Sequence, residues 1–277
     1  MDRIRLIASD MDATLLDEQS QLPADFEETI HALAELGIRF APASGRPLYT
    51  LEAMFPTLQD ELVFIGDNGG AIRWKGQNLF TSEMAPEGWR ALNRLSREHG
   101  DIAVLCGLDS AYVEKRYAAY DTVMKQFYTQ VEYVDRLEDV TAPADKFTIY
   151  LPRHDAQAAY DTIYASQRDI YSVAVAGECW VDIMNPGVHK GAALEVLGRL
   201  WDLPHESMMA FGDTYNDAEM LRTAKYGFLM ENGSEPLRQK VPFLAPSHRE
   251  AGVMQILQKV LAQNGFVCPA DFTSAHE

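Results

Sequence analysis

The chain has 277 residues, of which 24 are basic and 41 acidic, so its formal net charge is −17. A net charge of this sign and size argues against non-specific binding to nucleic acid or to an anionic membrane. Hydrophobic residues make up 47% of the chain and charged residues 23%, which allows substantial cores, and the length suits two domains better than one.

The cysteines and the start of the chain favour a cytoplasmic protein. The three cysteines, Cys106, Cys179 and Cys268, are odd in number and form no CxxC motif, so they predict neither a disulfide framework nor a zinc site. We see no signal-peptide core and no apolar run long enough to cross a bilayer. We therefore expect a cytoplasmic protein with no nucleic-acid or membrane partner.

The first part of the chain alternates predicted strands and helices. An apolar run from Leu6 ends in acidic, turn-like sequence and predicts a buried strand. Hydrophobic spacing then predicts a helix over 23–36, a strand over 38–43, a helix from Pro47, a strand over 62–65 and a hairpin over 71–80. Alternation of this kind is typical of a parallel sheet covered by helices.

The middle of the chain has a different order of elements. Helices are predicted over 86–99, 117–127 and 155–168, and strands over 102–106, 111–115, 146–151, 170–176 and 179–184. Strands and helices in this order predict an α+β domain with an antiparallel sheet. We place this inserted domain at 84–186.

The α/β alternation returns after Pro186. Helices are predicted over 190–201, 217–224, 235–239 and 250–262, and strands over 208–211, 226–230 and 241–244. The tail after Asn264 has little periodicity and is expected to pack loosely. Residues 1–83 and 187–277 are therefore predicted to form one α/β domain that the middle domain interrupts.

Two carboxylates one residue apart, Asp10 and Asp12, follow the first predicted strand. On extended chain these side chains point the same way, and two like charges that close are costly without a cation or a proton. The pair therefore predicts a bound cation, an acid/base pair, or both. An Asp after a strand can also be a helix cap or a turn residue, and that alternative stays open for the stretch taken alone.

Other segments of the α/β domain carry polar residues that complete a site. Ser44 follows the second strand, Lys190 begins a helix, and Gly212-Asp213-Thr214-Tyr215-Asn216-Asp217 follows a later strand. The carboxyl ends of parallel strands meet at one crevice. Converging carboxylates suit Mg²⁺, Lys and Ser suit phosphoryl oxygens, and Asp can attack phosphorus.

In this order the segments resemble the four motifs of the haloacid dehalogenase superfamily. The motifs are Asp10-Met11-Asp12-Ala13-Thr14, Ser44-Gly45-Arg46-Pro47, Lys190, and Gly212-Asp213-Thr214-Tyr215-Asn216-Asp217. Asn68-Gly69-Gly70 before a hairpin and Gly187-Val188-His189-Lys190-Gly191 resemble the Cof-type phosphatase branch. The resemblance implies a Rossmann-like parallel-sheet core with an inserted α+β cap.

The resemblance also implies roles for the first two motifs and the lysine. Asp10 would be the nucleophile, and Asp12 the general acid for the leaving group and then the base that activates water. Thr14 would help to orient Asp12, and Ser44 would bind the phosphoryl oxygens. Lys190 would neutralise both Asp10 and the phosphoryl group.

The remaining implied roles concern the metal and the substrate. Mg²⁺ would be held by Asp10, by the Asp12 backbone carbonyl and by Asp213. Asn216 and Asp217 would hold the metal site or Lys190 from close by. The candidate substrate-binding residues are Ser44, Gly45, Arg46, Asn68, Lys190 and Asn216.

One residue departs from the family pattern, which commonly has Gly at the position of Ala13. If the φ angle is positive there, Ala costs on the order of 1 kcal/mol. All charged groups of the motif remain, so we expect activity to survive.

These features together predict a Mg²⁺-dependent phosphatase that hydrolyses a small phosphorylated metabolite, a sugar phosphate or similar phosphomonoester, through an aspartyl-phosphate. The alternatives are a phosphomutase or phosphotransferase on the same fold, and a non-catalytic protein that binds a phosphometabolite. We expect a monomer or weak homo-oligomer. We expect side chains of the cap to select the substrate.

Overall fold

A computed structural model describes residues 1–276 of the chain. The N-terminal segment forms six strands and two helices, in the order β1 Asp2–Arg3, β2 Leu6–Ser9, α1 Phe26–Glu35, β3 Arg39–Pro42, α2 Leu48–Ala53, β4 Val63–Gly66, β5 Ala71–Trp74 and β6 Gln77–Thr81. Gly37, at φ +74°, follows α1 and lets the chain turn into β3.

The middle segment forms a cap with its own sheet. Its elements are α3 Pro86–Glu98, β7 Ile102–Gly107, β8 Ala111–Glu114, α4 Asp121–Phe127, β9 Val131–Val134, β10 Ala144–Tyr150, α5 Ala156–Asp161, β11 Ser172–Ala176 and β12 Trp180–Met184. The strand order is β11-β12-β10-β7-β8-β9, and every neighbouring pair is antiparallel except β8 and β9, which run parallel.

The last segment returns to the first sheet. Its elements are α6 Lys190–Trp201, β13 Met208–Gly212, α7 Ala218–Thr223, β14 Tyr226–Met230, α8 Glu235–Arg238, β15 Phe243–Ala245, α9 Gly252–Ala262 and β16 Phe266–Val267. The core sheet is parallel throughout, in the order β15-β14-β13-β2-β3. The expected α/β fold with a separate sheet cap is therefore confirmed.

The core sheet is covered on both faces, which explains its nearly continuous apolar strands. In β2, Ile7 belongs to the cluster that α1 and α9 cover, whereas Leu6 and Ala8 belong to the cluster that α6 and α7 cover. Alternate side chains of the strand thus point to opposite faces. The buried layers hold the carboxyl ends of β2, β3 and β13 at one edge.

The predicted third strand of the parallel sheet, β4, adjoins the core sheet but belongs mainly to a second sheet. β4 pairs antiparallel with β5 and begins a three-stranded sheet with the hairpin β5–β6. It meets the core sheet through a parallel bridge between Ala43 and Ile65. The hairpin that follows β4 gives it an antiparallel partner immediately along the chain.

Two predicted helices of the cap are shorter than expected. The span 155–168 forms only α5 before a 3₁₀ turn at Ala165–Asp169, and the span 117–127 is helical mainly in α4, after a 3₁₀ turn at Lys115–Tyr120. Tyr164 is fully buried and its hydroxyl donates a 2.6 Å hydrogen bond to Asp101. That contact to a distant carboxylate fixes the chain where a continuous helix was expected. The short strand β9 was not predicted.

The expectation of a loosely packed tail is wrong. β16 pairs with β1, and Val267 is fully buried. Phe272 packs edge-on against the ring of Phe228 at 5.0 Å, and Ser274 bridges to Phe243 at the end of the core sheet. The tail therefore covers an edge of the sheet.

No helix within residues 1–276 is both long enough and apolar enough to span a membrane. The domain limits at residues 84 and 186 stay a prediction.

Candidate active site

Neighbouring strands bring the predicted residues together. Asp10 follows β2 and Ser44 lies just beyond β3, while Asp213 follows β13. Because β2 lies between β3 and β13, all three residues emerge at the same edge of the sheet. The Asp10 N–H donates a 2.9 Å hydrogen bond to the carbonyl of Phe211, which ties the loop to the neighbouring strand.

Lys190 reaches this edge from the first turn of α6. His189 caps the helix, its Nδ1 accepting a 3.0 Å hydrogen bond from the Ala192 N–H. The Lys190 side chain is fully buried, and its Nζ donates to Asp10 and, at 2.7 Å, to Asp217. A buried ammonium needs such partners, so Lys190 is held between two carboxylates.

Gly69 allows a close approach of the Asn68 loop to the start of α6. Its φ is +99°, and a Cβ there would lie 2.6 Å from the carbonyl oxygen of His189. Only glycine fits this position without a shift of backbone. The loop after β4 therefore packs directly behind Lys190.

Both oxygens of Asp217 are already engaged. One oxygen accepts from Lys190, and the other accepts from the backbone N–H groups of Asp213 at 3.0 Å and Thr214 at 3.2 Å. Asp217 is also fully buried. Its contacts position Lys190 and the Asp213 loop.

The carboxylates fit a divalent cation. One oxygen each of Asp10, Asp213 and Asp217 lies within 4.8 Å of the others. An all-oxygen donor set is the kind that Mg²⁺ prefers. Because the oxygens of Asp217 are engaged, Asp10 and Asp213 are the carboxylates with room for a metal ion.

Burial and the excess of negative charge shift the pKa values of these groups. Burial, and next the charge of Asp217, raises the pKa of Asp10 to about 7, although Lys190 opposes the shift. Burial and the charge of Asp217 likewise raise the pKa of Asp213 to about 6. Burial opposes ionisation of Lys190, but the charges of Asp10 and Asp217 raise its pKa above the ordinary value. A bound cation would offset the charge that raises the two carboxyl pKa values.

The loop after Asp10 passes through a left-handed residue. Ala13 has φ +57° and ψ 14°, so it sits in the region where the Cβ atom is unfavourable. Asp12 has 59% of its side chain exposed and forms a 2.8 Å ion pair with the Arg46 guanidinium. Asp12 is therefore accessible at the opening of the site, whereas Asp10 is buried.

Three further predicted residues are Thr14, Ser44 and Asn216, and their expected roles stay predictions. Thr14 is buried, and its hydroxyl has no hydrogen-bond partner among residues 1–276. The Ser44 hydroxyl accepts a 3.1 Å hydrogen bond from the Arg46 N–H. Asn216 is exposed and accepts from the Thr214 hydroxyl, and of the two residues expected near Lys190 it is Asp217 that makes the buried contact.

A cavity of about 790 Å³ opens beside these residues, between the core and the cap. Core residues on its wall include Asp12, Ser44, Arg46 and Asn68. The other walls come from the cap, mainly the end of α4 and the hairpin of β11 and β12. The predicted substrate-binding residues Gly45 and Asn216 also line it.

The sequence reasoning missed a buried ionic cluster where the cap meets the core. Lys146 Nζ lies 2.9 Å from Asp67 Oδ1 and 3.7 Å from Asp182 Oδ2, and it donates a 2.7 Å hydrogen bond to the Gly45 carbonyl. The signal was available as strand alternation. In Lys146-Phe147-Thr148-Ile149-Tyr150 the polar residues share one face and the apolar residues the other.

Comparison with known proteins places this geometry in a family. The family model of haloacid dehalogenase-like hydrolases matches residues 7–257. The 5-amino-6-(5-phospho-D-ribitylamino)uracil phosphatase YbjI of Escherichia coli (strain K12) is 32% identical over 262 residues, covering 93% of this chain and 96% of that protein. The HMP-PP phosphatase of Cronobacter sakazakii is 29% identical over 254 residues, covering 87% of this chain and 89% of that protein.

A solved structure agrees at the level of the fold. A HAD/COF-like hydrolase from Plasmodium vivax superposes with a TM-score of 0.84 at 18% identity, covering 95% of this chain and 97% of that chain. The match extends across the core and the inserted cap.

Proposed function

The chain belongs to the haloacid dehalogenase-like hydrolases of the Cof type, with relatives that are named phosphatases, and we propose that it is a Mg²⁺-dependent phosphatase acting through an aspartyl-phosphate. The observation that carries the proposal is the contact of fully buried Lys190 with both Asp10 and Asp217. The contact holds the Asp10 carboxylate in place beside the opening of the cavity and offsets part of its negative charge. Both effects support Asp10 as the nucleophile.

In the first step an oxygen of Asp10 attacks phosphorus, and the bond from phosphorus to the leaving-group oxygen breaks. The product on the protein is an acyl phosphate on Asp10. Lys190 offsets part of the charge of the nucleophile and the phosphoryl group, and Ser44 donates its hydroxyl hydrogen to a phosphoryl oxygen. A Mg²⁺ ion, held by Asp10, Asp213 and the Asp12 carbonyl, would supply further positive charge against the anionic phosphoryl group.

Asp12 handles the proton in both steps. It gives a proton to the leaving oxygen, then takes one from the water that attacks the acyl phosphate, which releases inorganic phosphate and free Asp10. Its exposed position at the cavity wall supports this role. Arg46, which pairs with Asp12 in the free protein, would move to the phosphate oxygens once substrate enters. The role of Thr14 in orienting Asp12 stays a prediction, because its buried hydroxyl has no hydrogen-bond partner among residues 1–276.

The substrate class we propose is a small phosphomonoester such as a sugar or polyol phosphate. Relatives named for a phosphoribityl-pyrimidine and for HMP-PP support a small phosphorylated metabolite. The three free cysteines support the cytoplasmic location that we propose, and we propose a monomer or weak homo-oligomer.

The proposal is tested with a panel of phosphomonoesters, each assayed for phosphate release with Mg²⁺ and with chelator. We expect release that depends on Mg²⁺ and that the Asp10→Asn variant lowers by more than roughly 10³-fold. Asp169→Asn, a change at an exposed carboxyl, is the matched control.

Two results would contradict the proposal. Substantial turnover by Asp10→Asn with an intact circular dichroism spectrum would exclude the aspartyl-phosphate. Transfer of phosphate to a sugar hydroxyl, seen by product analysis with a hexose phosphate, would identify a phosphotransferase instead.

A further inference from the structure

We propose that Asn232, in the loop between β14 and α8, is a positioning residue for the proton transfer by Asp12. Its side chain holds the backbone carbonyl of Ala13, the residue after Asp12, and thereby the turn that carries the Asp12 carboxyl. This inference rests on the proposed phosphatase function and adds to it a residue that lies outside the four motifs.

The Asn232 side chain joins two loops that are far apart along the chain. Its Nδ2 donates a 2.8 Å hydrogen bond to the carbonyl of Ala13, and its Oδ1 accepts a 3.0 Å hydrogen bond from the backbone N–H of His248. A carbonyl can only accept and a backbone N–H can only donate, so these two partners settle the orientation of the amide. The Asn232 amide is therefore held at both of its polar atoms.

The backbone of the Asn232 loop is anchored to the site as well. The N–H of Ser234 donates a 2.7 Å hydrogen bond to the carbonyl of Asp213. The loop comes so close that a Cβ atom on Gly233 would lie 2.8 Å from the same Asp213 oxygen. Asn232 therefore fixes the turn of Asp12 relative to the loop of Asp213, which follows the neighbouring strand of the core sheet.

The loop before α9, which supplies the His248 N–H, is itself held by backbone hydrogen bonds. The carbonyl of Ser247 accepts from the N–H of Glu250 at 2.9 Å and from the N–H of Gly252 at 3.1 Å. His248 lies inside this closed turn. The side chain of Asn232 thus has an ordered partner on the side away from the Asp12 turn.

The turn of Asp12 has little else to fix it. Ala13 has φ +57°, a conformation that is unfavourable for a residue with a Cβ atom. The Asp12 side chain is largely exposed, and the Thr14 hydroxyl has no hydrogen-bond partner among residues 1–276. One hydrogen bond to the Ala13 carbonyl favours the observed turn over other conformations by roughly 2- to 12-fold.

The position of Asp12 matters most when the leaving group is a strong base. An alkoxide takes the Asp12 proton as its bond to phosphorus breaks, whereas p-nitrophenolate is a weak base and leaves without a proton. Asp10 is buried and bound by Lys190, so its attack on phosphorus does not depend on Asn232. Loss of the Asn232 contact should therefore slow the reaction of alkyl phosphates more than that of aryl phosphates.

The test compares glycerol 2-phosphate, an alkyl ester, with p-nitrophenyl phosphate, an aryl ester. The ratio of their kcat/KM values, alkyl to aryl, reports the step in which the leaving group departs, because hydrolysis of the acyl phosphate follows that step and is common to both. In Asn232→Ala we expect this ratio to fall by roughly 2- to 12-fold, the value of one hydrogen bond. Asn78→Ala, which removes an exposed amide bound to Arg73 in the hairpin β5–β6, is the matched control and should leave the ratio unchanged.

Further variants connect the effect to the hydrogen-bond donor and to Asp12. Asn232→Asp keeps an acceptor for His248 and loses the donor to Ala13, so it should lower the alkyl-to-aryl ratio as Asn232→Ala does. Asp12→Asn removes the proton and should lower the ratio much further, and adding Asn232→Ala to it should then change the ratio no more. A merely structural role of Asn232 would lower both kcat/KM values together and leave their ratio unchanged.

Hydrogen exchange of residues 11–16 measures the order of the turn without turnover, and it should accelerate in Asn232→Ala but not in Asn78→Ala. An unchanged alkyl-to-aryl ratio in Asn232→Ala, or a fall that persists when Asp12→Asn is also present, would overturn the positioning role and leave the phosphatase proposal standing. Absence of hydrolysis of both esters by the parent protein would overturn the phosphatase proposal, and the role of Asn232 with it.

Discussion

The Lys146 ammonium of the cap donates a 2.7 Å hydrogen bond to the Gly45 carbonyl in the core. Gly45 lies between Ser44 and Arg46, so the cap holds the loop that carries two of the proposed phosphate-binding residues. The same ammonium lies 2.9 Å from Asp67 Oδ1 and is nearly fully buried. The Lys146 side chain therefore joins the two domains at a wall of the cavity.

Lys146→Met should destabilise the protein strongly. The change leaves the carboxylates of Asp67 and Asp182 buried without their cation, and breaking a buried pair in this way costs about 3–5 kcal/mol. Denaturant unfolding at pH 7.5 measures the loss. Lys115→Met is the matched control, because Lys115 forms a 2.9 Å pair with Asp135 on the exposed surface and should matter far less. Equal losses of unfolding free energy in the two variants would contradict the conclusion that Lys146 stabilises the buried carboxylates.

Asp145→Asn should stabilise the protein more as the pH rises. Asp145 is fully buried, and burial, together with the charge of Asp67, raises its pKa well above the ordinary value. A group whose pKa is raised by folding contributes stability at low pH and loses it as pH increases through the folded-state pKa. Asparagine does not ionise, so the variant does not lose this stability as the pH rises.

The measurement is the free energy of unfolding of both proteins between pH 4.5 and 8. Asp139→Asn, at an exposed carboxyl, is the control, and its free energy of unfolding should not diverge from that of the parent protein as the pH rises. A gap between Asp145→Asn and the parent protein that narrows with rising pH would show that Asp145 is stabilised as a carboxylate.

Ala13→Gly should stabilise the fold by about 1 kcal/mol, because glycine lacks the Cβ atom that makes φ +57° unfavourable. Ala34→Gly, in the exposed face of α1, should do the opposite by about the same amount. Thermal or denaturant unfolding of both variants provides the comparison. Destabilisation by both changes would mean that the Ala13 side chain contributes more by packing than it costs in backbone strain.

Binding of Mg²⁺ should weaken as the pH falls. The pKa values of Asp10, about 7, and Asp213, about 6, lie above the ordinary range, so both groups hold protons at pH 5.5 in the metal-free protein. Protons and Mg²⁺ compete for these oxygens, and affinity should drop on the order of 100-fold between pH 8 and pH 5.5.

Isothermal titration of Mg²⁺ measures this directly. Without metal the two buried carboxyl groups destabilise the fold as they ionise, so Mg²⁺ should raise the melting temperature more at pH 8 than at pH 5.5. An Mg²⁺ affinity that is constant over this pH range would mean that the metal binds to groups other than Asp10 and Asp213.

Local patterns in the sequence were enough to predict most of the fold. Apolar runs and helical spacing identified the strands of the core sheet and the long helices, because burial on a strand or helix imposes a period that neighbouring residues share. The same reasoning brought Asp10, Ser44 and Asp213 together, since parallel strands place their carboxyl ends at one edge, and Lys190 joined them through the order of the four motifs.

Tertiary structure decided which groups touch. Asp217 rather than Asn216 holds Lys190, and Arg46 pairs with Asp12 across 34 positions of the chain. The break in the helix predicted over 155–168 and the packing of the tail also depend on distant partners. Such contacts depend on which distant segments of the chain meet in space. The spacing of residues along the chain does not determine this.

The same division applies to the motif and the cap. The sequence by itself determined that Ala13 stands where glycine is usual, and the fold decided that its φ is +57°. Strand alternation placed Lys146 on the polar face of its strand. Only the docking of the cap on the core brought it to Gly45, since that contact requires two domains whose relative position no local pattern encodes.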